Sequence, residues 1–328
     1  MKERIIKHVA YACDDHYFTY TYVSIKTLLE SNANLVVHFL YQDVPEEHLM
    51  LLRELGTTYN VRMDIRPFEM PAFFEMLPAF GVASKTTYAK LIFCTIFPEL
   101  DRILYLDPDT MVLNDITDFY TMDMGNNMIA GVIENLPYYH RKAVHLSEEE
   151  PYINGGMVLC NLKEWRRNRL EEKAVVRMQD TSMNLNYDQG ILNELCRGKV
   201  MVVAPKYNAL AEVFQFASRE KLMRRYNFKK YYTQEEIEEA INHPVIIHFT
   251  HFLYGKPMSY KCSHPYAENF RKIVIESPLA ETLNTLDIDS RAKVRRFFLK
   301  HTPFSVYLAY ESIMDVRREK DMLKGKSY

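Results

Sequence analysis

The stretch Arg102-Ile103-Leu104-Tyr105-Leu106-Asp107-Pro108-Asp109-Thr110 decides how the chain is read. Ile103 to Leu106 is an unbroken apolar run closed by a turn signal. Such a run predicts a strand buried on both faces, as in a parallel sheet. It ends in Asp-x-Asp. Side chains at i and i+2 of an extended segment point the same way, and Pro108 pushes Asp107 towards extended backbone. Two carboxylates held this close repel unless a cation sits between them. Hard oxygen ligands at a strand's carboxyl end suit a divalent metal, above all one carried by a phosphate substrate. A solvated loop with two unrelated aspartates is the alternative reading of the same residues.

The flanking sequence supplies the frame. His8 to Cys13 reads as a first strand ending at Asp14-Asp15, and Tyr17 to Ser31 has apolar residues at helical spacing. Leu35 to Tyr41 is a second apolar run. From Pro45 a helix is expected to end at Gly56, with acids in its first turn. Val61 to Phe68 alternates as a third strand. Strand, helix, strand, helix, strand is the signature of an α/β protein with a parallel sheet. Ser84 to Phe97 is predicted as one helix stopped by Pro98, with Thr87 and Lys90 facing a site.

Beyond the acidic pair, Met128 to Glu134 reads as a strand. Tyr152 to Leu159 combines Asn154 and the Gly155-Gly156 pair with another strand. Glycine inside a strand marks close approach of a ligand or another backbone, or a simple turn. A charged helix follows from Leu162 to Met178, and Asp188-Gln189 precedes a helical run from Gly190 to Cys196. Lys199 to Ala204 is strand-like. Thr233 and Glu236 form a capping box for a helix through Asn242. Val245 to Thr250 reads as a buried strand that carries His248, a third ligand type at a strand end.

Composition narrows the function. The chain has 328 residues, 48% hydrophobic and 26% charged, with a net charge of −2. That balance gives no electrostatic reason to bind nucleic acid. The five scattered cysteines form no Cys-x-x-Cys pair, so reduced thiols in a cytoplasmic protein are expected. No signal peptide, membrane-spanning run, internal repeat or Walker-type phosphate loop is recognised.

From Asp289 the composition shifts. The segment 290–328 holds ten Lys or Arg against four acids, interleaved with aromatics such as Phe297, Phe298 and Tyr307. We expect a catalytic domain over 1–288 and a helical appendage over 289–328. The appendage reads as a reversible contact with anionic membrane at the inner face of the cell membrane, through Arg291, Lys293, Arg295, Arg296 and Lys300. A helical cap packed on the catalytic domain is the alternative.

Six segments, in this order between about Val9 and Pro265, carry a resemblance: AYACDDHY, TTYAKL, RILYLDPDTMVL, YINGGMVLCNLKEW, DQGILN and IIHFT followed by GKP. Together they resemble family 8 glycosyltransferases, which include bacterial lipopolysaccharide galactosyl- and glucosyltransferases and glycogenin. The resemblance implies a GT-A fold, a Rossmann-like α/β domain with a mostly parallel sheet. It also implies transfer of glucose or galactose from a UDP-sugar to a glycan or lipid-linked acceptor, with retention of configuration. Mn²⁺, or Mg²⁺ in its place, would be held by Asp107, Asp109 and His248. Ala12 and Asp14 match positions that hold the uridine, and Gly255 and Lys256 match positions at the diphosphate. Lys90, Asn154, Asp188 and Gln189 match residues around the donor sugar, with Gln189 beneath the anomeric carbon.

The chain also departs from the pattern. Lys90 stands in place of the usual arginine, His16 of an asparagine, Glu134 of an aspartate, His251 of a glycine and Met258 of a tryptophan. Two other functions fit fewer of these residues. One is a nucleotide-sugar-binding protein without turnover. The other is a metal-dependent nucleotidyltransferase.

Overall fold

Arg102–Leu106 does form a strand with both faces covered, and the molecule is layered around it. The computed structural model describes residues 5–69, 71, 85–179 and 187–323. Within them run β1 (Lys7–Asp14), β2 (Leu35–Gln42), β3 (Arg62–Pro67), β4 (Arg102–Leu106), β5 (Thr110–Val112), β6 (Ile129–Ile133), β7 (Ile153–Asn161), β8 (Val200–Val202), β9 (Ala209–Leu210) and β10 (Ile246–His248).

Seven of these strands form one sheet in the order β3-β2-β1-β4-β7-β6-β8. Only β7 among them runs antiparallel to its neighbours. The chain winds outward from β1 through β2 to β3, then returns to place β4 on the other side of β1. The strand order therefore reverses between β1 and β4, the position where open α/β sheets bind ligands beyond their carboxyl ends. Along β4, Leu104 and Leu106 enter one apolar layer while Ile103 and Tyr105 enter the other. This is the alternation that a strand covered on both faces requires.

A second sheet, β5-β10-β9, sits at that end of the first. The run carrying His248 was expected only as a buried strand. It lies in this small sheet, antiparallel to β5, with His248 opposite Thr110. Sequence periodicity does not choose a strand's partner, so the pairing was not legible.

Two local expectations are revised. The segment expected to be a helix over Ser84 to Phe97 is a 3-10 helix over Lys85–Ile92, followed by one α-helical turn over Phe93–Ile96; Ser84 lies outside the described residues. Three residues per turn align Thr87 with Lys90, and six of the eight 3-10 residues are buried, so packing overrides the propensity for a regular helix. The helix expected to end at Gly56 continues to Tyr59 and stops at Asn60, which takes the left-handed conformation. A Cβ at Gly56 would overlap Met63 of β3, so this glycine serves close packing of helix on strand.

The segment after Asp289 is helical over Ser290–His301 and Phe304–Leu323. Lys324 and Lys326, part of the basic count, lie outside the described residues. These helices are joined to the α/β core. Tyr307 is fully buried within the main apolar cluster, and Phe298, Leu299 and Phe304 pack against that cluster. Glu311, 1% exposed, accepts from Arg225 at 2.6 Å and from Arg295 at 2.6 Å. Arg225 pairs in addition with Asp315 at 2.7 Å. Ending the chain near Asp289 would leave the buried Arg225 guanidinium without either carboxylate, a strongly destabilising change. Truncation is therefore not a clean way to separate the tail from the enzyme. Three members of the expected membrane cluster are also occupied, Lys293 by Asp287 at 3.0 Å, Arg295 by Glu311, and Arg296 by the Leu253 carbonyl at 2.9 Å.

Candidate active site

Asp107 follows β4 directly, and its backbone N–H donates to the Gly156 carbonyl at 2.7 Å. Asp109 precedes β5, and its carbonyl accepts from Phe249 N at 2.9 Å. That bond, with the Thr110–His248 register, brings β10 alongside the acidic turn. His248 Nε2 then lies 3.1 Å from Asp109 Oδ1 and 3.9 Å from Asp107 Oδ2. One ligand atom from each of the three lies within 4.8 Å of the others. Burial alone would raise the Asp109 carboxyl, but the His248 imidazole beside it holds it below the usual range. Two carboxylate oxygens and an imidazole nitrogen fit a divalent cation of the Mn²⁺ type.

Asn154 stands behind this trio. Its Oδ1 lies 3.1 Å from His248 Nδ1 and accepts from Gly156 N at 2.9 Å and Asn208 Nδ2 at 2.9 Å. An acceptor there holds a proton on Nδ1, so Nε2 is the ring nitrogen available to a cation bound between the carboxylates. Asn154 thus positions His248, while its Nδ2 donates to Glu134 Oε2. The glycine pair has a related purpose. A Cβ on Gly156 would overlap the His248 ring and come within 2.5 Å of Asp107 Oδ2. A Cβ on Gly155 would meet Gln189 at 3.0 Å. What approaches β7 here is the side chains of the site.

Asp188 and Gln189 lie in the helix Tyr187–Leu195, on the far side of the glycines. Gln189 Oε1 accepts from Gly155 N at 2.7 Å, which fixes the amide. Asn193, one turn later, bonds both the N–H and the carbonyl of Ile153 and so ties this helix to β7. Asp188 Oδ2 lies 2.7 Å from Lys90 Nζ. Lys90, 2% exposed, also donates to the Gly155 carbonyl at 2.8 Å and lies 3.6 Å from Asp107 Oδ1. Burial opposes its charge, but Asp188 and then Asp107 outweigh that and raise its pKa. The lysine is a cation shared by two carboxylates.

On the β1 side a cavity of about 150 Å³ is bounded by Ala12, Tyr17, Thr86, Thr87, Asp107 and Asp109. Asp14, at the carboxyl end of β1, has a buried Oδ1 with no hydrogen-bond partner. An orphaned acceptor beside a cavity suits an N–H-bearing base. Lys256 is exposed and places Nζ 5.7 Å from the Tyr17 ring centre, so it overhangs the same cavity. Gly255 takes φ +85, a backbone conformation that glycine adopts without a Cβ penalty. Lys90, Asp107, Asp109, Asn154, Asp188, Gln189 and His248 are thus linked directly or through Gly155, whereas Gly255 and Lys256 line a second cavity of about 290 Å³ with His251 and Asp287.

Three contributors had no sequence motif. Asn208 is fully buried, and its Oδ1 lacks a partner. Glu212 is buried beside Thr250, and burial, reinforced by Glu134, pushes its carboxyl up to about 8. His251 holds φ +63, in the region where the resemblance places glycine, with Nε2 3.9 Å from Asp109 Oδ2. The glycine-to-histidine departure was the one available signal among them.

A doubly wound sheet with an Asp-x-Asp turn and a histidine converging at its switch point defines a glycosyltransferase of the GT-A fold. Residues 8–257 match the family described as Glycosyl transferase family 8, and the chain belongs to that family. Over 288 residues it is 26% identical to a lipopolysaccharide 1,2-glucosyltransferase of Escherichia coli, covering 85% of this chain and 80% of that protein. A putative glycosyltransferase of Haemophilus influenzae is 23% identical, with 61% of this chain and 62% of that protein covered. The solved galactosyltransferase LgtC, in complex with donor and acceptor sugar analogs, superposes with a TM-score of 0.65 at 25% identity. That superposition covers 87% of this chain and 99% of LgtC.

Proposed function

We propose that the protein is a retaining hexosyltransferase that moves glucose or galactose from a UDP-sugar to a glycan or lipid-linked acceptor. The convergence of Asp107, Asp109 and His248 beside the cavity bounded by Ala12, Tyr17, Thr86 and Thr87 carries this reading. Uracil and ribose would lie along Ala12 and Asp14, with the diphosphate running past Asp107 and Asp109 towards Gly255 and Lys256. Mn²⁺, held by Asp107, Asp109 and His248, would offset the charge that grows on the departing diphosphate. Lys90 holds Asp188 beside the sugar, and Gln189, fixed by Gly155 N, faces the anomeric carbon as a stabilising dipole. The bond from the anomeric carbon to the diphosphate oxygen breaks, and its electron pair leaves with UDP. The acceptor hydroxyl attacks from the same face, and its proton passes to that departing oxygen. Incubation with UDP-glucose and UDP-galactose, with and without Mn²⁺ and with chelator, tests the reading through UDP release. Binding of both donors without any release, even with an acceptor mixture, would overturn it.

Gln189→Ala should lower transfer roughly 10²-fold, the scale of one preorganised dipole, while UDP affinity stays near normal. A fall in UDP affinity as large as the fall in rate would move Gln189 out of the sugar site.

The same reading places the enzyme in the cytoplasm, in peripheral contact with anionic lipid. Among the described residues no helix is long and apolar enough to cross a membrane. Both terminal helices nevertheless carry apolar side chains that remain exposed: Val294 and Phe297 on one, Val306, Ile313 and Val316 on the other. Exposed Arg291, Lys293, Lys300, Arg317 and Lys320 accompany them. An apolar stripe with basic flanks is complementary to an anionic lipid surface. Full-length Phe297→Ser/Ile313→Ser should lose co-sedimentation with phosphatidylglycerol vesicles at low salt and keep its rate of UDP release. Wild-type protein that ignores those vesicles would leave the two helices as a structural cap alone.

A further inference from the structure

A further cavity lies away from the cleft at the acidic turn. It has a volume of about 460 Å³ and opens at the β6–β8 edge of the sheet, between Ile133, Tyr152 and Val202. This volume is in the range of small-ligand sites. One part of its lining is aromatic. The Phe228 and Tyr231 rings stack at 4.7 Å and 12°, and Tyr232 turns 65° away from Tyr231. Tyr231 and Tyr232 are fixed at their hydroxyls, by Asn135 Oδ1 at 2.7 Å and Ile133 N at 2.8 Å. The platform is therefore preorganised.

The polar lining is also constrained. Arg141 is 2% exposed and lines the cavity. Its guanidinium donates to backbone carbonyls, including Tyr226 O at 3.1 Å, and lies 5.1 Å over the Phe228 ring. Its buried Nε has no acceptor. Burying a donor in this state is costly unless a ligand completes it. Of the four carboxylates on the lining, Glu148 pairs with Lys229, Glu150 with Arg197, and Glu236 accepts from Thr233 N, which leaves Glu149 beside Arg141 and Lys230. With those pairs formed, the lining carries no surplus positive charge to hold a phosphate. Carboxylates accept from hydroxyl groups, guanidinium and ammonium donate to them, and flat rings receive the C–H face of a sugar. The set matches a neutral, polyhydroxylated ring.

The cavity is coupled to the transfer site through one wall. Tyr231 OH donates to Asn135 Oδ1, Asn135 N donates to Glu134 Oε1 at 2.8 Å, and Glu134 Oε2 accepts from Asn154 Nδ2. Asn154 in turn contacts His248. A sugar in this cavity thus lies next to the Glu134–Asn154 pair that borders the transfer site.

We propose that this cavity is a subsite for a non-reacting neutral sugar unit of the acceptor glycan, held against the partly exposed Tyr231 ring that Phe228 backs, while the acceptor's terminal hydroxyl reaches the donor. The proposal rests on the transfer reading given above for the acidic cleft. Calorimetric titration of the full-length protein with lactose, cellotriose and maltotriose, with glucose 6-phosphate as the charged control, tests it. At least one neutral oligosaccharide should bind, and more tightly than the phosphorylated sugar. Glu149→Ala/Lys230→Ala, at two exposed positions, should weaken that binding about tenfold, the size of one good hydrogen bond, and leave acceptor-free UDP-hexose hydrolysis unchanged. Tyr231→Ala should abolish it. The proposal is overturned if none of the three oligosaccharides binds, if the phosphorylated sugar binds best, or if the double variant binds as wild type does. Oligosaccharide binding without any donor hydrolysis would support the subsite and count against the transfer reading alone.

Discussion

Asp109→Asn is expected to lower turnover roughly 10³-fold while leaving the protein folded. The exchange keeps the size of the side chain and removes one of two carboxylates from the Asp107–Asp109–His248 trio. Metal charge stabilisation of several kcal/mol corresponds to a loss of about this size. The Asp109 carboxylate is also the partner nearest to His248 Nε2, at 3.1 Å. Without its charge the remaining pair should bind Mn²⁺ weakly, and calorimetry in the absence of donor should show it. Added Mn²⁺ should restore part of the rate, as it should restore wild-type protein after chelation. Normal turnover, or unchanged Mn²⁺ affinity, would remove Asp109 from the metal site.

Gly156→Ala should be nearly as damaging, through shape alone. The new methyl group would lie 2.5 Å from Asp107 Oδ2 and 2.9 Å from His248 Nδ1. His248 is 4% exposed and held from behind by Asn154, so it has little room to retreat. Overpacking of this kind costs about 1–3 kcal/mol of stability, and a ligand displaced by about 1 Å costs roughly 10²-fold in rate. Mn²⁺ affinity and thermal stability should fall together. Gly155→Ala supplies the contrast, because its methyl group meets Gln189 at 3.0 Å and not the trio. It should slow transfer yet keep Mn²⁺ affinity. Equal Mn²⁺ affinities in the two variants would show that Gly156 is not the floor of the metal site.

The order of apolar runs and helix signals from His8 to Phe68 was enough to predict a parallel α/β sheet, because period and punctuation are local properties of the chain. Ile103 to Leu106 announced a strand covered on both faces for the same reason: no polar side chain interrupts it. Asp107 and Asp109 marked a candidate cation site because side chains at i and i+2 of an extended segment point the same way. The candidates, down to Gln189 and Lys256, were named from residue type, motif and the family resemblance.

What the tertiary structure decided is which groups meet. His248 reaches Asp109 because β10 pairs antiparallel with β5 in a sheet separate from the main one. Residues 139 positions apart in the chain carry no local sign of that register. Asn154 was read as a sugar-side residue, and the fold adds a contact from its Oδ1 to His248 Nδ1 at 3.1 Å that the motif does not announce. The basic tail was read as a membrane cluster, and burial of Tyr307 with the Arg225–Glu311 pair joins it to the core. Composition could mark the tail as amphipathic. Which of its charges stay exposed to meet lipid depends on partners far away in sequence, and only packing supplies them.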